Sequence, residues 1–207
     1  NGQNFRTYLS PSSTLGLKDF SQEQGGSLFM SLLSVCNVLF HKYTSDTDFI
    51  IGTPIAGRDH SDLMDQIGFY VNTLALRNHI DSEDNFVSLH NRVKDNFLSS
   101  YSHQMYPFDY LVKDLELNRD TGRSAIFDVM LALQNVKENV LDLEISEDHI
   151  GSIIDVGSRL SKFDLELNFT EIGECLCLDV TYNTSVYDGE MIQGMMIHFQ
   201  QLLNSLL

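Results

Sequence analysis

Positive charge is scarce in this sequence. Thirteen lysines and arginines stand against 29 aspartates and glutamates in 207 residues, a formal net charge of −16. Such a surface repels phosphate backbones, so no nucleic-acid partner is expected. The acidity reads as a solubility device, because no acidic block is long enough to serve as a docking tail. Long apolar runs are missing too. None approaches the roughly 20 residues needed to cross a bilayer, so no membrane partner is expected. Residues 1–10 carry neither the basic stretch nor the apolar core of a secretory signal. The chain does not begin with methionine, and it is expected to be a piece of something longer.

Cysteine is also scarce, with three in all: Cys36, Cys175 and Cys177. Cys36 sits in an apolar helical pattern and reads as a small core residue. Cys175 and Cys177 are two apart, so on a strand they share a face. That spacing is not CxxC, and no histidine cluster accompanies it, so no zinc site is expected. An odd count without a disulfide framework suits a reducing cytoplasm. Familiar catalytic signatures are absent as well. His41, His60, His79, His90, His103, His149 and His198 are scattered and form no HExxH. There is no GxSxG, P-loop or GxGxxG. His41, His90 and His198 fall in helical patterns and are expected at the surface or boundary.

What remains is the composition of an ordinary globular chain, 43% hydrophobic and 20% charged. The length fits one large domain or two small ones with a real core. After an extended or irregular start, Ser13 or Thr14 is placed to cap a helix carrying Leu15, Leu17 and Phe20, ended by Gly25-Gly26. Ser27 caps a second helix, apolar around most of its circumference and therefore expected to be buried. Residues 48–53 read as a short buried strand, with Pro54 ending regular pairing on that side. A loop centred on Gly57-Arg58-Asp59-His60 feeds a strand over residues 68–78. Asp84 or Asn85 opens an amphipathic helix with Phe86, Leu89, Val93, Phe97 and Tyr101 on one face. His103-Gln104-Met105-Tyr106 interrupts it, and Pro107 suits the first position of another helix. Residues 126–134 read as a buried strand, 140–145 and 150–156 as weaker ones, and 164–182 as a hairpin turning at Gly173. Asp188 caps a final helix. The sum is helices plus a mixed sheet in one α/β (α+β) unit.

Few residues in this frame invite a functional reading. Asn72 and Thr73 lie among apolar neighbours in a strand, and a buried Asn must find hydrogen-bond partners. Those partners are expected in adjacent loops; the sharper alternative is orientation of a bound amide or pantetheine arm. Arg58 suits a carboxylate or an ion-paired loop, with structural pairing preferred. His103 reads as a helix C-cap before it reads as a site wall. The Met191, Met195 and Met196 group reads as core packing.

Four blocks then occur in order. Asp48-Phe49-Ile50-Ile51-Gly52-Thr53-Pro54-Ile55-Ala56-Gly57-Arg58 is followed by Ile67-Gly68-Phe69-Tyr70-Val71-Asn72-Thr73-Leu74-Ala75-Leu76-Arg77. Next come His103-Gln104-Met105-Tyr106-Pro107-Phe108-Asp109 and Arg119-Asp120-Thr121-Gly122-Arg123-Ser124-Ala125-Ile126-Phe127. These resemble the GTPxAGR, IGxFVNTxxxR, HQxxPFE and RDxSRxPLF blocks of the condensation domains of nonribosomal peptide synthetases. Tyr70 stands for the usual Phe, Asp109 for Glu, Gly122 for Ser and Ala125 for Pro. Residues 130–135 and 161–165 continue the likeness.

The resemblance implies a chloramphenicol acetyltransferase-like fold, a mixed sheet flanked by helices. Two such lobes form a V with a tunnel between them, and this chain would be the C-terminal one. The family's HHxxxDG motif belongs to the other lobe and is absent here, so no catalytic histidine is carried over, and the isolated chain is expected to be inactive. The implied reaction joins aminoacyl and peptidyl thioesters held on phosphopantetheine arms of carrier domains, with no cofactor bound directly. Implied partners are the N-terminal lobe, peptidyl carrier domains and an adjacent adenylation domain; an isolated lobe is expected to self-associate. Residues assigned to the tunnel wall or its framework are Arg58, Asn72, Thr73, Arg77, His103, Gln104, Arg123 and Gln134, and segment 135–160 is expected to cross to the other lobe. A docking module without chemistry is the alternative, as is a lobe of a related epimerization or heterocyclization domain.

Overall fold

The computed structural model describes residues 1–58, 60–117, 124–134 and 161–206. Among the described residues, six strands form one mixed sheet in the order β1-β6-β5-β4-β2-β3. They are β1 (Gly2–Leu9), β2 (Asp48–Ile55), β3 (Asn72–His79), β4 (Val129–Gln134), β5 (Leu165–Ile172) and β6 (Cys175–Asn183). β2, β4 and β5 run parallel; β3 is antiparallel to β2, and β6 lies antiparallel between β5 and β1. Among the described residues the α-helices are α1 (Pro11–Glu23), α2 (Leu28–Thr44), α3 (Phe86–Ser102), α4 (Phe108–Asp114) and α5 (Gly189–Leu206).

Alternation along the strands decides which face is covered. Ile51, Leu76, Leu131, Leu165, Leu167, Phe169, Leu178 and Val180 are buried and lie on one face. The central helix against that face is α2, which packs on α1, α3, α5 and β4. Leu32, Leu33, Val35, Cys36 and Leu39 of α2 are buried, as its all-round apolar sequence requires. Burial drives the Cys36 thiol well above its ordinary pKa, so it stays protonated. On the other face, the β1, β6 and β5 region is polar and partly exposed, with a bidentate Arg6–Asp179 pair at 2.5 and 3.1 Å.

Several boundaries differ from expectation. α1 is capped by Ser10, whose Oγ accepts from Ser13 N at 3.1 Å, and Pro11 occupies the first turn. A first-turn proline has the right φ and no N–H to leave unpaired, so the helix starts earlier than a cap at Ser13 or Thr14 allows. Pro54 does not end the β2–β3 ladder: it pairs with Thr73, and Ile55 pairs with Asn72. The ladder to β4 is the one that stops short, covering only Ile51 and Gly52. β4 begins at Val129 rather than 126. Pro107 is the N-cap of α4 rather than its first residue. Ser27, Asn85 and Asp188 cap α2, α3 and α5 as expected. The weaker strands expected at 140–145 and 150–156 lie outside the described residues.

His90 is the largest correction among the histidines. It is fully buried between α1, α2 and α3, not at the surface. Its Nε2 lies 3.1 Å from Ser31 Oγ, which bonds Ser21 Oγ at 2.7 Å. The ring sits edge-on to Phe20, 5.1 Å between centroids. Helical periodicity put His90 on the apolar face beside Leu89 and Val93; polarity alone argued for the outside.

Candidate functional site

The expected strand over 68–78 begins only at Asn72. Gly68 to Val71 lie outside any strand, and Ile67 and Phe69 are exposed. The reason is Arg58. Its guanidinium donates through Nη1 to Leu63 O and through Nη2 to Gly68 O at 3.3 Å. The same planar group lies 4.4 Å from the centre of the Tyr70 ring. Tyr70 Oη in turn donates to Gln66 Oε1 at 2.8 Å. Neighbouring Gly57 adopts φ +63°, and a Cβ there would overlap the Tyr70 carbonyl oxygen. The first two blocks therefore close on each other, and the described residues 57–58 and 60–70 form a strap rather than a strand.

Asn72 joins the second block to the third. Its Nδ2 donates to Gln104 O at 2.8 Å and to Tyr106 O at 2.9 Å, and its Oδ1 accepts from Phe108 N at 3.1 Å. α4 has no side-chain cap of its own. Its first N–H is satisfied from β3 instead, which answers an orphan donor at a helix start. Adjacent loops thus satisfy Asn72, which is half-buried rather than buried. His103 is the C-cap of α3; its N donates to Ser100 O at 3.1 Å, and its Nδ1 lies 2.9 Å from Ser99 O. A carbonyl only accepts, so Nδ1 donates there. Tyr106 Oη donates to Asp114, and that bond raises the Tyr106 pKa and holds the loop against α4.

The fourth block reaches the first and the third through Phe127. Gly52 lies on the face of β2 away from α2, and a Cβ there would overlap the Phe127 ring. Phe127 packs at 5.6 Å on Phe108 and stacks at 5.3 Å on Phe163. Gly52, Asn72, Phe108, Phe127 and Phe163 thus tie all four blocks into one knot over β2 and β3. A glycine inside a strand is the signal that could have found Gly52, since it marks a close approach. Nothing local pointed to its partner.

The remaining expected residues divide. Thr73 faces Pro54 across the ladder, and Gln134 ends β4 opposite Thr170. Both lie at the carboxyl ends of β2 and β4 near the strap. Arg77 does not join them. It sits toward the far end of β3 and pairs with Asp48 at 2.6 Å, which lowers the Asp48 pKa. Arg123 and the segment 135–160 lie outside the described residues.

Beside these strand ends, the start of α2 frames a crevice of about 330 Å3 lined by Ser27, Phe29, Thr53, Phe97, Leu133 and Glu171. The carboxyl ends of parallel strands are where open α/β sheets take ligands. Chemically the surroundings are those of a wall. Ser31 and His90 are sealed in the core, with no carboxylate on His90 Nδ1. No group of three or more His, Cys, Asp or Glu among the described residues is arranged to hold a metal.

Residues 1–207 match the profile described as "Condensation domain". The chain belongs to this family. Surfactin synthase subunit 1 of Bacillus subtilis (strain 168) is 37% identical over 197 residues, covering 91% of this chain and 5% of that protein. Tyrocidine synthase 3 of Brevibacillus parabrevis is 37% identical over 187 residues, covering 90% and 3%. The chain thus spans a small fraction of the curated relatives it matches. In fold it is similar to the holo four-domain nonribosomal peptide synthetase AB3403, with TM-score 0.86, 23% identity, and coverage of 99% of this chain and 16% of that one. The X-domain from teicoplanin biosynthesis gives TM-score 0.86 at 17% identity, covering 99% and 47%. The first condensation domain of the CDA synthetase gives 0.76 at 18%, covering 98% and 44%. The mixed sheet flanked by helices is the condensation-domain fold expected from the four blocks.

Proposed function

We propose that this chain is the C-terminal lobe of a peptide-bond-forming condensation domain, supplying one wall of the tunnel and its carrier-docking surface. The observation that carries this reading is the knot. Four family blocks, spread from Asp48 to Phe127, interlock through Gly52, Arg58, Asn72, Phe108 and Phe127 at the carboxyl end of β2. Covering less than half of two solved condensation-domain chains supports a one-lobe reading. In the proposed reaction an acceptor amine attacks the donor thioester carbonyl, the carbon–sulfur bond breaks, and the amine proton passes to a base on the other lobe. This lobe orients the two arms and excludes water; it holds no cofactor directly and works beside carrier and adenylation domains in the cytoplasm.

The test is to express the chain with and without the roughly 170–200 residues that precede it, a length expected of one lobe, and follow the dipeptidyl product on carrier domains by mass spectrometry. Product is expected only when the preceding lobe carries an intact HHxxxDG. Product from the chain alone, or none from a complete domain with that motif, overturns the reading. A docking module without chemistry is the second reading, since an X-domain of the same fold, TM-score 0.86, was solved in complex with OxyB. A degenerate HHxxxDG upstream together with carrier binding would select it.

A further inference from the structure

The crevice at the carboxyl ends of β2 and β4 carries hydrogen-bond donors that nothing among the described residues answers. It is lined by the first residues of α2, Leu28 and Phe29, with their cap Ser27, and by Thr53 and Leu133 near the strand ends. The first N–H groups of a helix have no helical carbonyl to reach. Ser27 Oγ answers Met30 N at 3.3 Å, which leaves those of Leu28 and Phe29 at the opening. No acidic side chain stands in this first turn, and the positive end of the helix dipole adds to the pull on an oxygen atom. Thr53 supplies a further donor independently. It is only 3% exposed and lies on the α2 side of β2 with Ile51 and Ile55. Its Oγ1 has no hydrogen-bond partner among the described residues, and a hydroxyl so placed calls for one.

The rest of the lining is mostly apolar. Phe29 and Phe97 meet with ring centroids 5.1 Å apart, and Leu28, Ile55 and Leu133 extend the wall. The charged residue of the lining, Glu171, is already paired with Lys18, so a ligand meets no free charge there. The volume of about 330 Å3 is at the lower end of small-molecule sites. It suits one side chain and the carbonyl group next to it rather than a whole carrier arm. A charged side chain would lose its water in this crevice without gaining a partner.

We propose that this crevice selects the amino acid that is joined. It takes the branched or aromatic apolar side chain of a carrier-bound aminoacyl group among Phe29, Phe97 and Leu133. The neighbouring carbonyl oxygen accepts from Thr53 Oγ1 and from the N–H groups at the start of α2. The identity of the ligand rests on the condensation reading given above. Donor and acceptor aminoacyl groups share this chemistry, and the experiment separates them.

The first measurement is titration of the 207-residue chain with the N-acetyl amides of leucine, phenylalanine, glycine and glutamate, read by amide chemical shifts. Saturable shifts are expected at Leu28, Phe29 and Thr53 with the leucine and phenylalanine probes. The glycine and glutamate probes should bind about tenfold more weakly, or less, for want of an apolar group to bury. Thr53→Val keeps the shape but removes the hydroxyl, and should weaken binding by about threefold to tenfold. Equal binding of all the probes, saturation at another surface, no saturable shift, or an unaffected Thr53→Val overturns the proposal. The second measurement gives the two-lobe domain leucyl or glycyl groups, first on the donor carrier and then on the acceptor carrier. A leucyl preference that Leu133→Trp abolishes by filling the crevice names the group that occupies it. A thermal melt checks that both variants fold. Product with no such preference in either arm overturns the proposal and leaves the condensation reading standing. Absence of product overturns that reading instead, and the titration still decides the crevice.

Discussion

Both amide hydrogens of Asn72 and its carbonyl oxygen are engaged with the backbone of one loop. Asn72→Ala strands the Phe108 N–H and two carbonyls in a half-buried place. The expected loss is about 1–3 kcal/mol, because water reaches part of the vacancy. Asn72→Asp keeps the acceptor but sets a carboxylate against two carbonyl oxygens, and it should cost at least as much. Urea unfolding measures both. In the two-lobe domain proposed above, Asn72→Ala should lower dipeptidyl product formation more than it lowers the folded fraction, since the freed loop carries His103 and Gln104. Equal losses would make the residue purely structural. Gly52→Ala drives a methyl group into the Phe127 ring and should destabilise by about 1–3 kcal/mol. Gly194→Ala meets open space inside α5 and should instead stabilise by roughly 0.5–1 kcal/mol. That Asn72 needed partners was legible from its apolar neighbours. The role of Gly52 was not, because the ring it makes room for belongs to a strand lead-in far along the chain.

At the scale of elements, α2 was legible because it is apolar around most of its circumference, and the β5–β6 hairpin because burial on one face writes a period of two into the sequence. The stretch from Ile67 to Val71 misled for the same reason. Its apolar residues look like strand, but Arg58 draws their backbone into the strap and leaves Ile67, Phe69 and Val71 exposed. Segment α3 carries a linked titration. Burial lowers the His90 pKa below its ordinary 6.5, with Lys94 adding repulsion. The unfolded chain then binds the extra proton first, so stability is full above about pH 6.5 and declines as pH falls toward the depressed value. The unpartnered Nδ1 makes this worse, because a protonated ring would bury a donor with no acceptor. His90→Gln removes the titration while keeping a side-chain amide that can either donate to or accept from Ser31. Urea unfolding at pH 7.5 and 5.5 should show a smaller pH dependence in the variant, and an unchanged dependence would remove His90 from the acid response.

For the molecule as a whole, the strap, the α3–α4 loop and α4 place Met64, Ile67, Phe69, Met105 and Tyr110 in solvent. Apolar side chains gathered in this way mark a surface made for a partner. The isolated chain should therefore self-associate, with sedimentation coefficients rising with concentration. A double substitution, Ile67→Ser with Phe69→Ser, should return it toward monomer without loss of thermal stability. A wild-type chain that stays monomeric at high concentration would count against a missing lobe. At this scale the sequence was read through its ordered blocks rather than its composition. Composition and charge fit many α/β domains, whereas the contacts among blocks appear only when β2, β3, α4 and the lead-in to β4 converge.

The pairing of β1 with β6 has a consequence in time. Gly2–Leu9 zips against residues 176–183, and the Arg6–Asp179 pair spans 173 residues. At ribosomal rates of about 5–20 residues per second, the first strand is made roughly 10–35 seconds before its partner exists. Until then β1 presents an open edge, and α1 has no β6 beneath it. The β2–β3 ladder and the α2–α3 contact come from nearby sequence and can form during that interval. Translation speed, and whatever shields the first strand meanwhile, therefore belongs to the biogenesis of this domain: a ribosomal pause after α1 lengthens the exposure, and one after β6 does not.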